Sequence, residues 1–183
     1  LNGYFIGTCY DGQTLFNMLR TKSKDESIVL YKNGEKIWEL TKQYENDDLP
    51  DNEACLGLAI DVYQESINQV FREYLVNFSY LTRILENYGF VLLNRDMLIE
   101  KDFKQSTGMF SELFIDMEKE LQFVKYKNKY GNALNMSDEE KTISFLNRYF
   151  IFQKIRNIDS QSMKKQYREE LSEEEKDIAE KIL

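Results

Sequence analysis

A short apolar run, Tyr4-Phe5-Ile6, stands between Gly3 and Gly7 and gives way at Thr8 to polar residues. That length suits a buried strand rather than a helix, and the polar stop opens its C-terminal end onto a loop. Asp11 then stands where a helix N-cap belongs, with Leu15, Phe16 and Leu19 recurring on one helical face. A strand that feeds directly into a helix is the building step of an α/β domain.

The rest of the chain continues the alternation. Ile28–Tyr31 and Ile37–Leu40 flank Asn33-Gly34, a step whose two positions both accept positive φ, so a β-hairpin is expected there. An acidic loop, 44–53, carries the one proline. A strand is expected over 54–63, with Leu56, Leu58 and Ile60 on one side, then a loop over 64–71. The spacing predicts a helix from Glu73 to Tyr88, striped by Leu75, Phe78, Leu81 and Leu85 and ended by Gly89. Phe90–Leu93 reads as a strand, 111–126 as a helix with Leu113, Met117, Leu121 and Val124 inward, and Tyr149–Phe152 as a last strand. Ser137-Asp138-Glu139-Glu140 and Ser172-Glu173-Glu174-Glu175 both have the pattern of a capping box.

Composition narrows the chemistry. A net charge of −8 argues against coating nucleic acid by charge alone, though not against a pocket for one nucleotide. The sequence has no histidine, which removes the commonest general base, the usual nucleophilic dyads and most zinc sites. Cys9 and Cys55 are too few for a disulfide framework and point to a reducing, intracellular compartment. No stretch reaches the apolar length of a membrane span. The chain begins with leucine at the entry to a strand, as expected of a piece of a longer protein.

Several segments, in order, carry a resemblance. Gly3-Tyr4-Phe5-Ile6-Gly7-Thr8, Glu73-Tyr74-Leu75-Val76, Asn87-Tyr88-Gly89-Phe90 and the run from Ile143 to Lys154 together resemble the C-terminal half of mRNA cap (guanine-N7) methyltransferases. Ile60–Ile67 leading to Glu73 is similar in particular to capping enzymes of large DNA viruses. The resemblance covers residues 1–155 and leaves 156–183 as a charged helical extension. It implies the last parallel strand and two closing strands of a class I (Rossmann-like) S-adenosylmethionine-dependent fold, with an inserted hairpin. The methyl-donor site is then expected in an N-terminal half outside this chain, since no glycine-rich cofactor loop is present. Implied partners are the capped 5′ end of mRNA, that N-terminal half, and other capping-enzyme domains or a stimulatory subunit. A viral origin implies a cytoplasmic factory or virion, a cellular one the nucleus.

The resemblance also implies roles for two residues. Methylation at guanine N7 removes no proton, so alignment and a field favouring a cationic ring are what an enzyme must add. One carboxylate accepts both N1–H and the N2 amino group of guanine. Glu73 matches the family's Pro-Glu-(Phe/Tyr)-Leu-Val glutamate, with Arg72 in the proline's place as a cation beside it. Read from the sequence alone, Glu73 equally suits the first turn of a helix, stabilised by the macrodipole. Asn147 stands where the family often has a tyrosine lying on the cap base, and it retains a hydrogen-bond donor. Thr8 to Asp11 end a strand where ligands of open sheets gather, but they also suit a strand-to-helix turn. Asp61 with Glu65, and Asp96 with Glu100, read as charged rims. Three functions remain open: cap methylation, a catalytically inactive methyltransferase-like module that stimulates a capping partner, and a stand-alone RNA-binding domain.

Overall fold

The computed structural model describes residues 1–100, 104–122, 130–159, 161 and 165. Its strands are β1 (Tyr4–Tyr10), β2 (Ser27–Lys32), β3 (Glu35–Lys42), β4 (Ala59–Gln64), β5 (Gln69–Tyr74), β6 (Phe90–Leu92), β7 (Thr107–Met109) and β8 (Asn147–Lys154). Its α-helices are α1 (Gly12–Met18), α2 (Phe78–Asn87), α3 (Arg95–Glu100), α4 (Phe110–Glu120) and α5 (Asp138–Ser144). The class is α/β, as expected, and every described strand pairing is antiparallel.

The strands form two sheets. In the first, β8 lies between β1 and β6 and is antiparallel to both, while β7 joins β8 beyond β6. β1 and β6 therefore run parallel to each other. The expected buried strand at 4–8 is instead an edge, with Tyr4, Phe5 and Ile6 exposed.

The second sheet is the meander β2-β3-β4-β5. The hairpin is where the sequence puts it, with Asn33 at φ 55° and Gly34 at φ 86°. It extends into four strands because two expectations give way. Residues 54–58 are not strand: Asn52 caps a 3-10 turn at Glu53–Cys55, and Gly57 at φ 81° breaks the extended path, leaving Leu56 exposed. The loop expected over 64–71 closes in four residues, because Asn68 takes φ 55° and donates its amide to the Gln64 carbonyl at 2.8 Å. That turn returns the chain as β5.

Glu73 consequently lies in β5, not in a helix. The helix starts five residues later at Phe78, where Asn77 is the N-cap and accepts from the Tyr80 amide at 3.1 Å. It ends before Gly89, as expected.

A helix of seven residues such as α1 is too short to hold itself in water. It is held by burying Leu15, Phe16 and Leu19 against Trp38, Leu40, Ile60 and Val62 on the inner face of the second sheet. Burial of such side chains contributes about 1.5–3 kcal/mol each. Trp38 is fully buried there. In the first sheet Phe78 of α2 packs on Phe150 and Phe152. In α4 Met117 is buried as expected, Leu113 is largely exposed, and Val124 lies outside the described residues. The Ser172–Glu175 capping box also lies outside them, whereas Ser137 and Glu140 form theirs reciprocally. Among the described residues no helix is long and apolar enough to cross a membrane.

Candidate functional site

A polar cavity of about 460 Å³ opens where three parts of the fold meet. Thr8, Cys9 and Tyr10 come from the end of β1, Gln64 and Glu73 from the β4–β5 pair, and Glu140, Ile143, Ser144 and Asn147 from α5 and the start of β8. Residues far apart in sequence converge because two successive amides are spent on two different elements. Asp11 N–H donates to the Leu146 carbonyl at 2.9 Å, and Gly12 N–H donates to the Val76 carbonyl at 3.1 Å. The first contact fixes Asn147 beside Tyr10. The second draws the segment after β5, and Glu73 with it, toward the same strand end.

Side-chain direction follows from strand alternation. Glu73 is opposite Ile60, so its carboxylate shares the inner face with the core. Arg72 is opposite Asp61 on the outer face and grips it through two bonds, Nε to Oδ1 at 2.8 Å and Nη2 to Oδ2 at 3.0 Å. The expected cation beside Glu73 is therefore turned away, and Asp61 is paired with Arg72 rather than with another carboxylate. Glu73 is exposed along β5 and forms no ion pair with any described residue, and partial desolvation of its carboxylate raises its pKa above the ordinary glutamate value. Among the described residues no cation lines the cavity. Lys32, near its margin, is committed to Glu140 at 3.0 Å.

Asn147 is brought to the same cavity, but its amide nitrogen is occupied. Nδ2 donates to the Ile143 carbonyl at 3.2 Å and to the Ser144 carbonyl at 3.1 Å, closing the end of α5. The expected donor is thus used within the fold, and what the side chain keeps for a ligand is an acceptor, Oδ1. Opposite it, Tyr10 accepts from the indole N–H of Trp38 at 3.3 Å.

Asp11 and Cys9 have structural surroundings. Asp11 is the N-cap of α1, accepting from the Thr14 amide and hydroxyl at 2.8 and 2.7 Å, and it also accepts from Arg148 Nε at 2.8 Å. Burial alone would raise its pKa; the bonds from Thr14 and Arg148 outweigh burial and hold it below the ordinary value. Burial, then the Asp11 charge, pushes the Cys9 thiol up to about 11 against an opposing effect of Arg148, so it is protonated at neutral pH and a poor nucleophile.

The glycines do not form a nucleotide cradle. A methyl on Gly7 would meet the Phe150 ring at 2.7 Å, and one on Gly12 would meet the Val76 carbonyl oxygen at 2.3 Å, so the chain itself occupies both approaches. Neither glycine is therefore left open to a ligand. A second, mainly apolar cavity of about 570 Å³ lies between α4 and β8. Its walls include Lys104, Glu120 and Tyr130, close in sequence to the undescribed residues, and no role is assigned to it.

In sequence the chain is similar to an mRNA-capping enzyme. The chain is 28% identical over 176 residues to the probable mRNA-capping enzyme of Acanthamoeba polyphaga mimivirus, a match covering 86% of this chain and 15% of that protein. The chain thus spans about 15% of the length of its relative. This similarity supports a relationship to capping enzymes without reaching the guanine-N7 methyltransferase half in particular. No family model matches the chain.

Proposed function

We propose that this chain holds the guanine of an mRNA cap while a methyl group is transferred to N7, as part of a viral-type mRNA-capping protein. The observation that carries this reading is the pair of acceptors, Glu73 and Asn147, presented from separate walls of the fold to one cavity that no cation lines among the described residues. Such a lining suits a base edge that offers donors, as the N1–H and N2 amino group of guanine do. It is unsuited to phosphate, so the triphosphate bridge lies outside. A carboxylate without a competing cation also favours the positive charge that a methyl at N7 leaves on the ring.

The strand order supports the same reading. β8 runs antiparallel between β1 and β6, and the free edge of β1 is compatible with continuation into a parallel set, as a last parallel strand followed by closing strands requires. S-adenosylmethionine, which supplies an activated methyl group, belongs on this reading to a part of the complete protein outside these residues. The contribution of Glu73 is to bind and orient the acceptor base.

The test is Glu73→Gln in the complete protein, assayed on guanosine-capped and inosine-capped RNA. Losing a charge-assisted bond to the base that the transition state strengthens lowers the rate on guanosine caps by about thirty- to thousand-fold, or roughly 2–4 kcal/mol. Discrimination against inosine, which lacks the N2 amino group, shrinks with it. Unchanged rate and discrimination would remove Glu73 from the cap site. The exposed apolar edge at Tyr4, Phe5 and Ile6 favours a second reading, a module that docks on and stimulates a capping partner. On that reading Glu73→Gln leaves methylation intact and β1-edge substitutions abolish it.

A further inference from the structure

The aromatic that the resemblance leads one to expect at position 147 is absent, and Asn147 is engaged in closing α5. The ladder between β1 and β8 pairs Asn147 directly with Tyr10. Side chains of directly opposed residues in an antiparallel pair leave the same face with Cβ atoms about 4.5–5.5 Å apart. An aromatic moved from one position to the other therefore reaches the same space from the neighbouring strand. Resting on the cap-binding reading above, we propose that Tyr10 is the platform on which the cap base stacks, supplied across the β1–β8 pair from the place where Asn147 stands.

Three independent features prepare the Tyr10 ring for this. Its hydroxyl accepts from Trp38 Nε1 at 3.3 Å, and Trp38 is fully buried, so the far end of the ring is tethered to a rigid core. Its backbone is fixed by the next residue, whose amide donates to the Leu146 carbonyl. Tyr10 lines the same cavity as Glu73 and is half-buried, packed on one side against the core. Glu73 is also near enough to act on the phenol: burial chiefly raises the Tyr10 pKa, the Trp38 bond lowers it, and the Glu73 charge raises it further. An edge reader and a ring face thus belong to one space. A tethered ring loses little freedom on binding, which is what makes an aromatic platform effective.

The two residues divide affinity from selectivity. Every base has a π-face, so stacking on Tyr10 strengthens binding of guanosine and inosine caps alike, whereas Glu73 distinguishes them by the edge. Aromatic truncation at a base-stacking position costs about 1–3 kcal/mol, or roughly 5- to 150-fold in affinity. A cationic 7-methylguanine gains additionally from lying on a ring face.

The experiment measures dissociation constants of a guanosine cap dinucleotide and its inosine counterpart with the complete protein and four variants. Tyr10→Leu weakens both ligands by a similar factor, about tenfold or more. Tyr10→Phe keeps the ring, loses only the Trp38 tether, and stays within about threefold of wild type on the same scale. Tyr10→Leu combined with Asn147→Tyr returns the aromatic across the ladder and recovers part of the affinity, the remainder being lost with the Asn147 acceptor. The proposal is overturned if Tyr10→Leu binds as wild type does, if Tyr10→Phe is as weak as Tyr10→Leu, or if the double variant recovers nothing. Glu73→Gln, the fourth variant, separates the two levels of argument. If it erodes the guanosine preference while Tyr10→Leu changes nothing, the cap reading stands and the platform falls. If neither variant alters cap binding, both fall.

Discussion

Gly12 donates its amide to the Val76 carbonyl at 3.1 Å, and a methyl on Gly12 would lie 2.3 Å from that same oxygen. This contact fastens the segment after β5 to the segment after β1, and so sets the separation of Glu73 from Tyr10. Gly12→Ala cannot be relieved by rotating a side chain, because the obstacle is backbone. The expected result is a loss of about 1–3 kcal/mol in unfolding free energy by denaturant titration, in the range of overpacked sites. Cap affinity falls as well, since the two walls of the cavity part. A variant of wild-type stability would show that the approach is loose.

Asp11 and Arg148 form a second fastening, with a testable pH dependence. Asp11 is nearly buried, and its folded-state pKa is depressed by the Thr14 and Arg148 bonds. A depressed acid contributes stability that is fully present above its unfolded pKa, about 4, and is lost as pH falls through the folded value. Asp11→Asn therefore flattens the acid limb of the stability curve below about pH 4. At neutral pH it costs about 2–4 kcal/mol, because a partly buried guanidinium loses its partner. An acid limb identical to wild type would assign the acid sensitivity to other carboxylates.

Glu73 titrates in the opposite sense. Burial raises its folded pKa, so below that value the carboxyl is protonated and cannot accept both guanine donors. Cap affinity measured against pH should weaken as pH falls through a midpoint above the ordinary glutamate value of about 4.3. In Glu73→Gln that inflection disappears. The same raised pKa means ionised Glu73 slightly opposes folding, so the variant melts no lower than wild type. A drop in melting temperature would mean that Glu73 has a structural partner.

The methyl donor gives a prediction for the 183-residue chain itself. Gly7 is filled by the Phe150 ring and Gly12 by the Val76 backbone, so neither leaves room for a nucleotide. Calorimetric titration of this chain with S-adenosylmethionine should give no binding heat, whereas micromolar binding would relocate the donor site into these residues.

The hairpin turn offers a local check. Gly34 sits at φ 86° with open space around its Cα. Gly34→Ala therefore meets no clash, and its cost is the backbone strain of a left-handed alanine, about 1 kcal/mol. A larger loss would reveal a tertiary role for the turn.

Local chemistry made much of this legible in the sequence. Asp11 as N-cap, Asn33-Gly34 as hairpin turn, Gly89 as helix stop and Ser137 with Glu140 as capping box all rest on contacts within a few residues, which a linear pattern encodes directly. Glu73 and Asn147 were named from resemblance, and their chemistry as acceptors is intrinsic to the side chains. What only the tertiary structure decided is where those side chains point and what already occupies them. Whether Glu73 belonged to a helix or a strand depended on Asn68 taking positive φ, since that turn brings β5 back along β4. Strand alternation then sent Arg72 to the outer face and Glu73 inward. Asn147 lost its donors to two carbonyls of α5, and Tyr10 gained its place opposite it through a ladder pairing residues 137 positions apart in sequence. Such pairings depend on register between distant strands, and a one-residue slip would turn every one of these side chains to the other face.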